Sequence, residues 1–300
     1  MSDRIIGVVG LGLMGTAIAA RLLDRGFTVH GHDPAPGAGE GLIADGLVLH
    51  PDVRSLSRAV PLAVLSLPNG TISKHACSTE DGLAAPGTHV RWILDTTTTR
   101  PNEAEELAAA LRPAISFFDV GLSGASSMVR RGQGLALLAG DDEAPPGVYD
   151  ALEAICNDVA TVGRSGDGMR VKLIINMVLG INRLALAEAL VLGEKMDIEP
   201  RGLLDVLQRS AAKSTAMAIW GDRMVENRFD EPTSRVSQHT KDIRQIMELG
   251  EEYEHPMLGA STLAMLARSA RAHGLLDQDN SVVVEVIRRL AGKDDPARSA

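Results

Sequence analysis

The sequence predicts an α/β protein: a doubly wound parallel sheet in the first half, an all-α domain in the second, and a long helix joining them. Three observations predict it. Short apolar runs alternate with helical patterns over the first half. The runs lack polar alternation, as strands covered on both faces do. Beyond Gly166 strand-like runs stop and apolar residues recur at helical spacing. In order, RIIGVVG reads as the first strand, followed by a helix from about Thr16 to Arg25 that Gly26 stops, and then by FTVHGHD. Further strands are PLAVLSL, HVRWILD, ISFFDVG and LALLAG. The expected domains are 1–163 and 164–300. The joining helix is expected from about Met169 to Met196, roughly 40 Å long at helical rise. The tail KDDPARSA is expected to fray.

Composition narrows the function. Three hundred residues, 45% hydrophobic and 23% charged, suffice for two globular domains. A net charge of -9 disfavours nucleic acid or an anionic membrane surface as the principal partner, since neither polyanion is drawn to that average field. Cys77 and Cys156 are the only cysteines and show no metal-like or C-x-x-C spacing, which suits a reduced cytoplasmic setting. MSDRIIGVVG lacks the basic-then-apolar order of a signal peptide. Asn176, Asn182, Arg183 and Glu188 interrupt the longest apolar stretch, so no membrane span is expected.

Between the first strand and first helix stands Gly10-Leu11-Gly12-Leu13-Met14-Gly15, a G-x-G-x-x-G pattern. Gly10 suits a tight turn, Gly12 lets backbone approach a pyrophosphate, and Gly15 allows the helix to pack against the strand. The phosphates then face the helix N-terminus. Asp33 ends the second strand a little over twenty residues later, where an acid accepts the adenosine ribose hydroxyls and repels a 2′-phosphate. Pro34-Ala35-Pro36 supplies no arginine for such a phosphate, so NAD is expected, with NADP possible. The competing use of Asp33 is to cap a turn before proline. His30 and His32 belong to no metal-ligand pattern. These features describe a Rossmann domain that binds NAD(P).

The stretch GDGMRVKLIINMVLG places Lys172 and Asn176 one helical turn apart amid Val171, Leu173, Ile174, Ile175, Met177, Val178 and Leu179. A half-buried helix with a snorkelling lysine would account for this stripe. A catalytic amine would account for it as well.

Taken with the motifs around it, the chain resembles the β-hydroxyacid dehydrogenase family, that of 3-hydroxyisobutyrate dehydrogenase and tartronate semialdehyde reductase, over nearly its whole length. GLGLMGTAIAARLL is similar to the family's cofactor turn, LSLPNG to its Leu-Pro loop (Leu67-Pro68), and DTTTTRP to its Asp-x-Ser-Thr-x-x-Pro segment, which puts Thr98 on the cofactor-associated threonine. DVGLSGASSMVRRGQ resembles the substrate loop, GDGMRVKLIIN the Gly-x-x-x-Lys-x-x-x-Asn helix, and HTKDI the late Lys241-Asp242 pair. The resemblance implies hydride exchange between nicotinamide and a small 3-hydroxy acid or its semialdehyde. Lys172 is then general acid in reduction and general base in oxidation, with Asn176 beside it. Ser123, Gly124 and, in the third position, Ala125 hold the substrate carboxylate, while Lys241 reaches the nicotinamide end of the site. No metal is implied.

Departures from the family pattern are Ser123-Gly124-Ala125 for Ser-Gly-Gly, and Val120-Gly121 for Ala-Pro, which implies a less rigid loop. Ser234-Arg235 stands where an aromatic residue is common. Arg130, Arg131 and Arg235 are candidates for a second anionic group of the substrate or for exposed loop residues. Trp220 and Phe229 are candidates for a pocket wall or for core. Related alternatives are an imine reductase, which carries another residue for the lysine, and a sulfonate- or phosphate-bearing aldehyde reductase, which needs an arginine in the Ser123–Ala125 loop. A noncatalytic dinucleotide sensor is a third, and it would not need Lys172. The apolar joining helix implies a homodimer or homotetramer.

Overall fold

The computed structural model describes residues 4–78 and 80–292, so the tail expected to fray lies outside the described residues. By its contacts the chain divides into two compact units, Met1–Lys172 and Leu173–Ala300.

The first unit holds eight strands: β1 (Ile5–Val9), β2 (Thr28–His32), β3 (Val48–Leu49), β4 (Leu62–Leu65), β5 (Trp92–Asp95), β6 (Ser116–Ser123), β7 (Leu135–Gly140) and β8 (Asp158–Gly163). They form one sheet in the order β3-β2-β1-β4-β5-β6-β7-β8. Its helices are α1 (Leu13–Asp24), α2 (Val53–Ser57), α3 (Gly70–Ala76), α4 (Pro101–Leu111), α5 (Ser126–Arg130) and α6 (Pro146–Ile155). The long helix α7 runs from Asp167 to Lys195, close to the span its apolar pattern predicts. The second unit continues with α8 (Pro200–Arg209), α9 (Thr215–Val225), α10 (Val236–Glu252), α11 (Leu258–Ala272) and α12 (Val283–Leu290).

The sheet is buried on both faces because its strand residues are apolar at odd and even positions alike. Ile6, Val8, Leu62, Val64, Leu94 and Phe118 point to the side where Ile18 and Leu22 of α1 and Leu152 and Ile155 of α6 pack. Val9, Ala63, Leu65, Ile93 and Phe117 point to the other side, against Leu56 of α2 and Leu107 and Leu111 of α4. Each fully buried leucine or isoleucine contributes roughly 1.5–3 kcal/mol. In the second unit Leu186 and Leu190 of α7, Trp220 and Met224 of α9, Ile243 of α10, Leu263 of α11 and Val284 of α12 form a separate core.

Three details correct the sequence reading. β7 runs antiparallel to β6, while every other pairing is parallel. A parallel return needs a crossover of a dozen or more residues, and the link from Ser123 to Leu135 contains only the short α5. β3 and β8 escape the sequence pattern because β3 is two residues long and β8 is a partly exposed edge. α1 begins at Leu13 rather than Thr16, so its free N–H groups open inside the glycine turn.

α7 is also long and apolar enough to cross a membrane by length and composition, with mean hydropathy 1.6 and 39% burial over its most apolar window. A core helix meets the same measure, and Leu184, Leu186, Ala187, Leu190 and Val191 of α7 are buried in the second unit's core.

Candidate active site

In an open parallel sheet the ligand crevice lies at the carboxyl ends of the strands, where the strand order reverses. Here β1 has β2 on one side and β4 on the other, so the turn after β1 occupies that point. Gly10 has φ +93°, and a Cβ on it would stand 2.3 Å from Ser66 O. A Cβ on Gly15 would stand 1.8 Å from Gly10 O, whereas one on Gly12 would meet nothing within 4 Å. The first and third glycines are thus held by the protein's own packing, and the second faces open space through which a pyrophosphate can approach the backbone. Leu11 is buried, Met14 half-buried and Leu13 exposed.

Asp33 follows β2. Its Oδ2 accepts from Leu11 N at 2.7 Å and its Oδ1 from Ala35 N at 2.8 Å. Asp33 thus caps the turn around Pro34, as one of its two readings expects, and in addition ties β2 to the glycine turn. A carboxylate has about four acceptor positions, so capacity for ribose hydroxyls remains. The residues present fit a dinucleotide. His30 Nδ1 lies 2.8 Å from His50 Nε2, and His32 Nδ1 lies 3.0 Å from His50 O. Among the described residues no group of three metal-ligating side chains forms.

The ends of β4 and β5 are joined by a threonine the sequence reading passed over. Leu67 N donates to Thr97 Oγ1 at 3.0 Å, Ser73 Oγ to the same oxygen at 3.1 Å, and Thr97 N to Asp95 Oδ1 at 2.9 Å. Asp95 is buried, and burial pushes its carboxyl up to about 6 against hydrogen bonds that oppose the shift. Thr98 is half-buried in the next turn, and Pro68 is exposed.

Ser123 closes β6, Gly124 has φ +145°, and Ala125 is extended at φ -71° as the N-cap of α5, so the extra methyl strains no backbone. Lys172 Nζ donates to Leu122 O at 2.8 Å, which brings the amine to the residue preceding Ser123. Gly121 corrects an expectation: it lies within β6, paired with Leu137, and not in a loosened loop. A Cβ there would stand 2.8 Å from Gly168 O and 3.1 Å from Lys172 Cβ, so its smallness lets α7 approach the strand. Two residues earlier, Asp119 Oδ1 accepts from Gly166 N at 2.9 Å and Oδ2 from Met169 N at 3.1 Å. This buried acid anchors the amino end of α7, one turn before Lys172; burial pushes it up to about 6 while those hydrogen bonds pull the other way. A lone acid inside the apolar run ISFFDVG was the available signal.

In the second unit Asn176 Nδ2 donates to Asp242 Oδ2 at 3.0 Å, so the late pair contributes its acid as an orienting partner beside the half-buried Lys241. The arginines do not join these residues in one cluster. Arg130 pairs with Asp24, Arg131 Nε donates to Gln133 Oε1 at 2.9 Å, and Arg235 is exposed at the start of α10. Trp220 and Phe229 are core. The thiols of Cys77 and Cys156 are buried and pushed upward by that burial.

Residues 5–163 match the family model described as the NAD binding domain of 6-phosphogluconate dehydrogenase, and residues 166–287 that of NAD-binding of NADP-dependent 3-hydroxyisobutyrate dehydrogenase. The chain is 28% identical over 290 residues to 2-(hydroxymethyl)glutarate dehydrogenase of Eubacterium barkeri, covering 96% of each. It is 24% identical over 287 residues to 2-hydroxy-3-oxopropionate reductase of Escherichia coli, covering 95% of this chain and 98% of that one. The solved structure of 3-hydroxyisobutyrate dehydrogenase from Salmonella typhimurium superposes with a TM-score of 0.83 at 25% identity, over 94% of this chain and 99% of that one. With the glycine turn at the switch point of the sheet and both family models matched in order, the chain belongs to the β-hydroxyacid dehydrogenase family, whose members are NAD(P)-dependent oxidoreductases acting on CH–OH groups.

Proposed function

We propose that the protein interconverts a small 3-hydroxy acid and its semialdehyde or keto acid, preferring NAD(H), with Lys172 as general acid in reduction and general base in oxidation. The observation that carries this reading is the 2.8 Å bond from Lys172 Nζ to Leu122 O, which holds an amine next to the Ser123-Gly124 turn. When bound, the nicotinamide supplies or takes the hydride. Lys172 stabilises the negative charge that develops on the substrate oxygen and passes a proton to it; in oxidation, as the neutral amine, it takes that proton back. Ser123 Oγ and the Gly124 N–H donate to the substrate carboxylate, which fixes the carbon that reacts. Asn176 donates a hydrogen bond and, held by Asp242, keeps the polar face of α7 in register. Lys241 serves the nicotinamide end. Gly10 through Gly15, Leu67, Pro68 and Thr98 receive the dinucleotide. Asp33 favours the ribose hydroxyls over a 2′-phosphate, and this supports NAD.

The substrate class rests on relatives named for 2-(hydroxymethyl)glutarate and 2-hydroxy-3-oxopropionate. A homodimer or homotetramer is part of the proposal, supported by Ile174 and Val178 of α7, 54% and 48% exposed. So are a cytoplasmic setting, which the cysteine pattern suits, and the lack of a nucleic-acid or membrane partner, which the net charge of -9 supports. A panel of hydroxy acids with NAD, followed by nicotinamide absorbance, tests the reaction. Lys172→Ala should lower kcat by about 10²- to 10⁴-fold while NADH still binds by fluorescence titration. Undiminished turnover in that variant would remove Lys172 from the role.

A further inference from the structure

Lys172, Asn176, Gly180 and Arg183 recur at helical spacing on α7, so the face that starts with the amine ends at an arginine. Inside the second unit this arginine helps to line a cavity of about 30 Å³. Gly180, His239, Thr240 and Asn280 complete its polar side, and the remainder is aliphatic.

Arg183 is only 5% exposed. Its guanidinium carbon stands 4.7 Å from the centre of the Trp220 ring, and among the described residues no protein acceptor takes any of its N–H groups. A guanidinium carries five such donors in a fixed fork, and a buried cation without acceptors is costly. The acid whose charge acts on it, Asp279, is already saturated. Its Oδ2 accepts from Thr233 N at 2.8 Å and Thr233 Oγ1 at 2.9 Å, and its Oδ1 from Ser281 N at 2.9 Å and Ser281 Oγ at 2.7 Å. Arg223 lies 3.9 Å from the same carboxylate, so two guanidinium groups share one negative charge.

The other polar walls add donors. His239 Nε2 is sealed from solvent and has no protein partner. Burial, and then the charge of Arg183, hold this imidazole well below its ordinary range, so it is neutral and can present Nε2–H. The Thr240 hydroxyl already donates to Val236 O at 2.8 Å, and the Asn280 amide to Ser234 Oγ at 2.7 Å. The cavity therefore combines surplus positive charge, unused N–H donors and an aliphatic remainder. Its volume is room for roughly two water-sized spheres. Water would hydrate the guanidinium without neutralising it, a cation would be repelled, and the small volume favours a small anion over a phosphate or a multi-carbon acid.

We propose that this cavity binds a small monovalent inorganic anion of halide size, held by Arg183 and His239 Nε2. Gly180 lies one turn beyond Asn176 and His239 one turn before Asp242, so the anion braces α7 against α10 behind the Asn176–Asp242 bond. Binding to the folded state raises its apparent stability by mass action. The test is thermal unfolding of the full protein in sodium chloride, bromide, sulfate and gluconate at constant ionic strength. Chloride and bromide should add a saturable rise in Tm of about 4 °C over gluconate, sulfate should give only its general non-saturating stabilisation, and Arg183→Met should abolish the saturable rise. Bromide-soaked crystals give a second measurement that needs no variant: an anomalous peak within hydrogen-bond distance of the Arg183 guanidinium is expected. Equal Tm in chloride and gluconate, or only water density beside Arg183 in bromide, would overturn the proposal. Neither measurement depends on the assigned reaction.

Discussion

Asp33 holds the turn after β2 and, in the proposed function, also meets the ribose hydroxyls, and its oxygens set how well it can do both. Leu11 N and Ala35 N each take one acceptor position, at 2.7 and 2.8 Å, and the carboxylate stays fixed at the end of β2 with its remaining lone pairs free. Preorganisation of this kind strengthens a ribose contact, because no further ordering is needed on binding. Asp33→Ala should weaken NADH binding by about 10- to 100-fold, the worth of charged hydrogen bonds, and NADPH binding far less. Fluorescence titration of both dinucleotides checks this; an equal loss for the two would show that Asp33 shapes the turn without choosing between them. The place of Asp33 at the end of β2 was legible in the sequence because it depends on position after a strand. Its bond to Leu11 was not, since that bond closes only when β1 and β2 lie side by side.

At the scale of the element, α7 depends on a residue outside itself. Asp119, on β6, supplies acceptors for Gly166 N and Met169 N, two of the N–H groups that an α-helix cannot satisfy at its own start. Asp119→Asn keeps one oxygen and turns an amide donor toward the other N–H, which should cost about 1–3 kcal/mol of stability. A shift at that end moves Lys172 off the Leu122 carbonyl, so kcat is expected to fall by about 10- to 100-fold with KM for NAD unchanged. Steady-state kinetics at fixed hydroxy acid decide it, and full kcat in a folded variant would show that the lysine is held by other contacts. The β4–β5 junction behaves differently with pH. Asp95 titrates near 3.8 when unfolded and near 6 when folded. As pH rises from about 4 to about 6 the unfolded chain releases this proton while the folded chain retains it, so stability falls through that window, by roughly 3 kcal/mol once complete. Asp95→Asn should flatten that part of the profile in urea unfolding, leaving the similar slope that Asp119 supplies. An unchanged profile would remove Asp95 as a source.

On the scale of the whole molecule, the exposed apolar stripe of α7 argues for self-association. Ile174 and Val178 are four residues apart, and Leu192 and Met196 repeat the pattern farther along. Ile174→Glu should weaken self-association at least about 100-fold in sedimentation, since a carboxylate does not enter an apolar interface without a partner; wild-type protein that sediments as a monomer at micromolar concentration would end that reading. Taken by itself, the sequence determined the features whose cause is local or periodic. Gly10 answers to its positive φ and Gly15 to the nearby Gly10 carbonyl, the strands to continuous apolar runs, α7 to its helical repeat, and Lys172 with Asn176 to a four-residue spacing. Only the tertiary structure decided the antiparallel turn of β7, the edge strands β3 and β8, and the partners of Asp119, Asp242, Thr97 and Arg183. Those depend on which groups meet across separations of 47 residues for Asp119 with Gly166 and 66 for Asn176 with Asp242. A polar side chain's type shows what it can bond, and only the packed backbone shows what stands within reach.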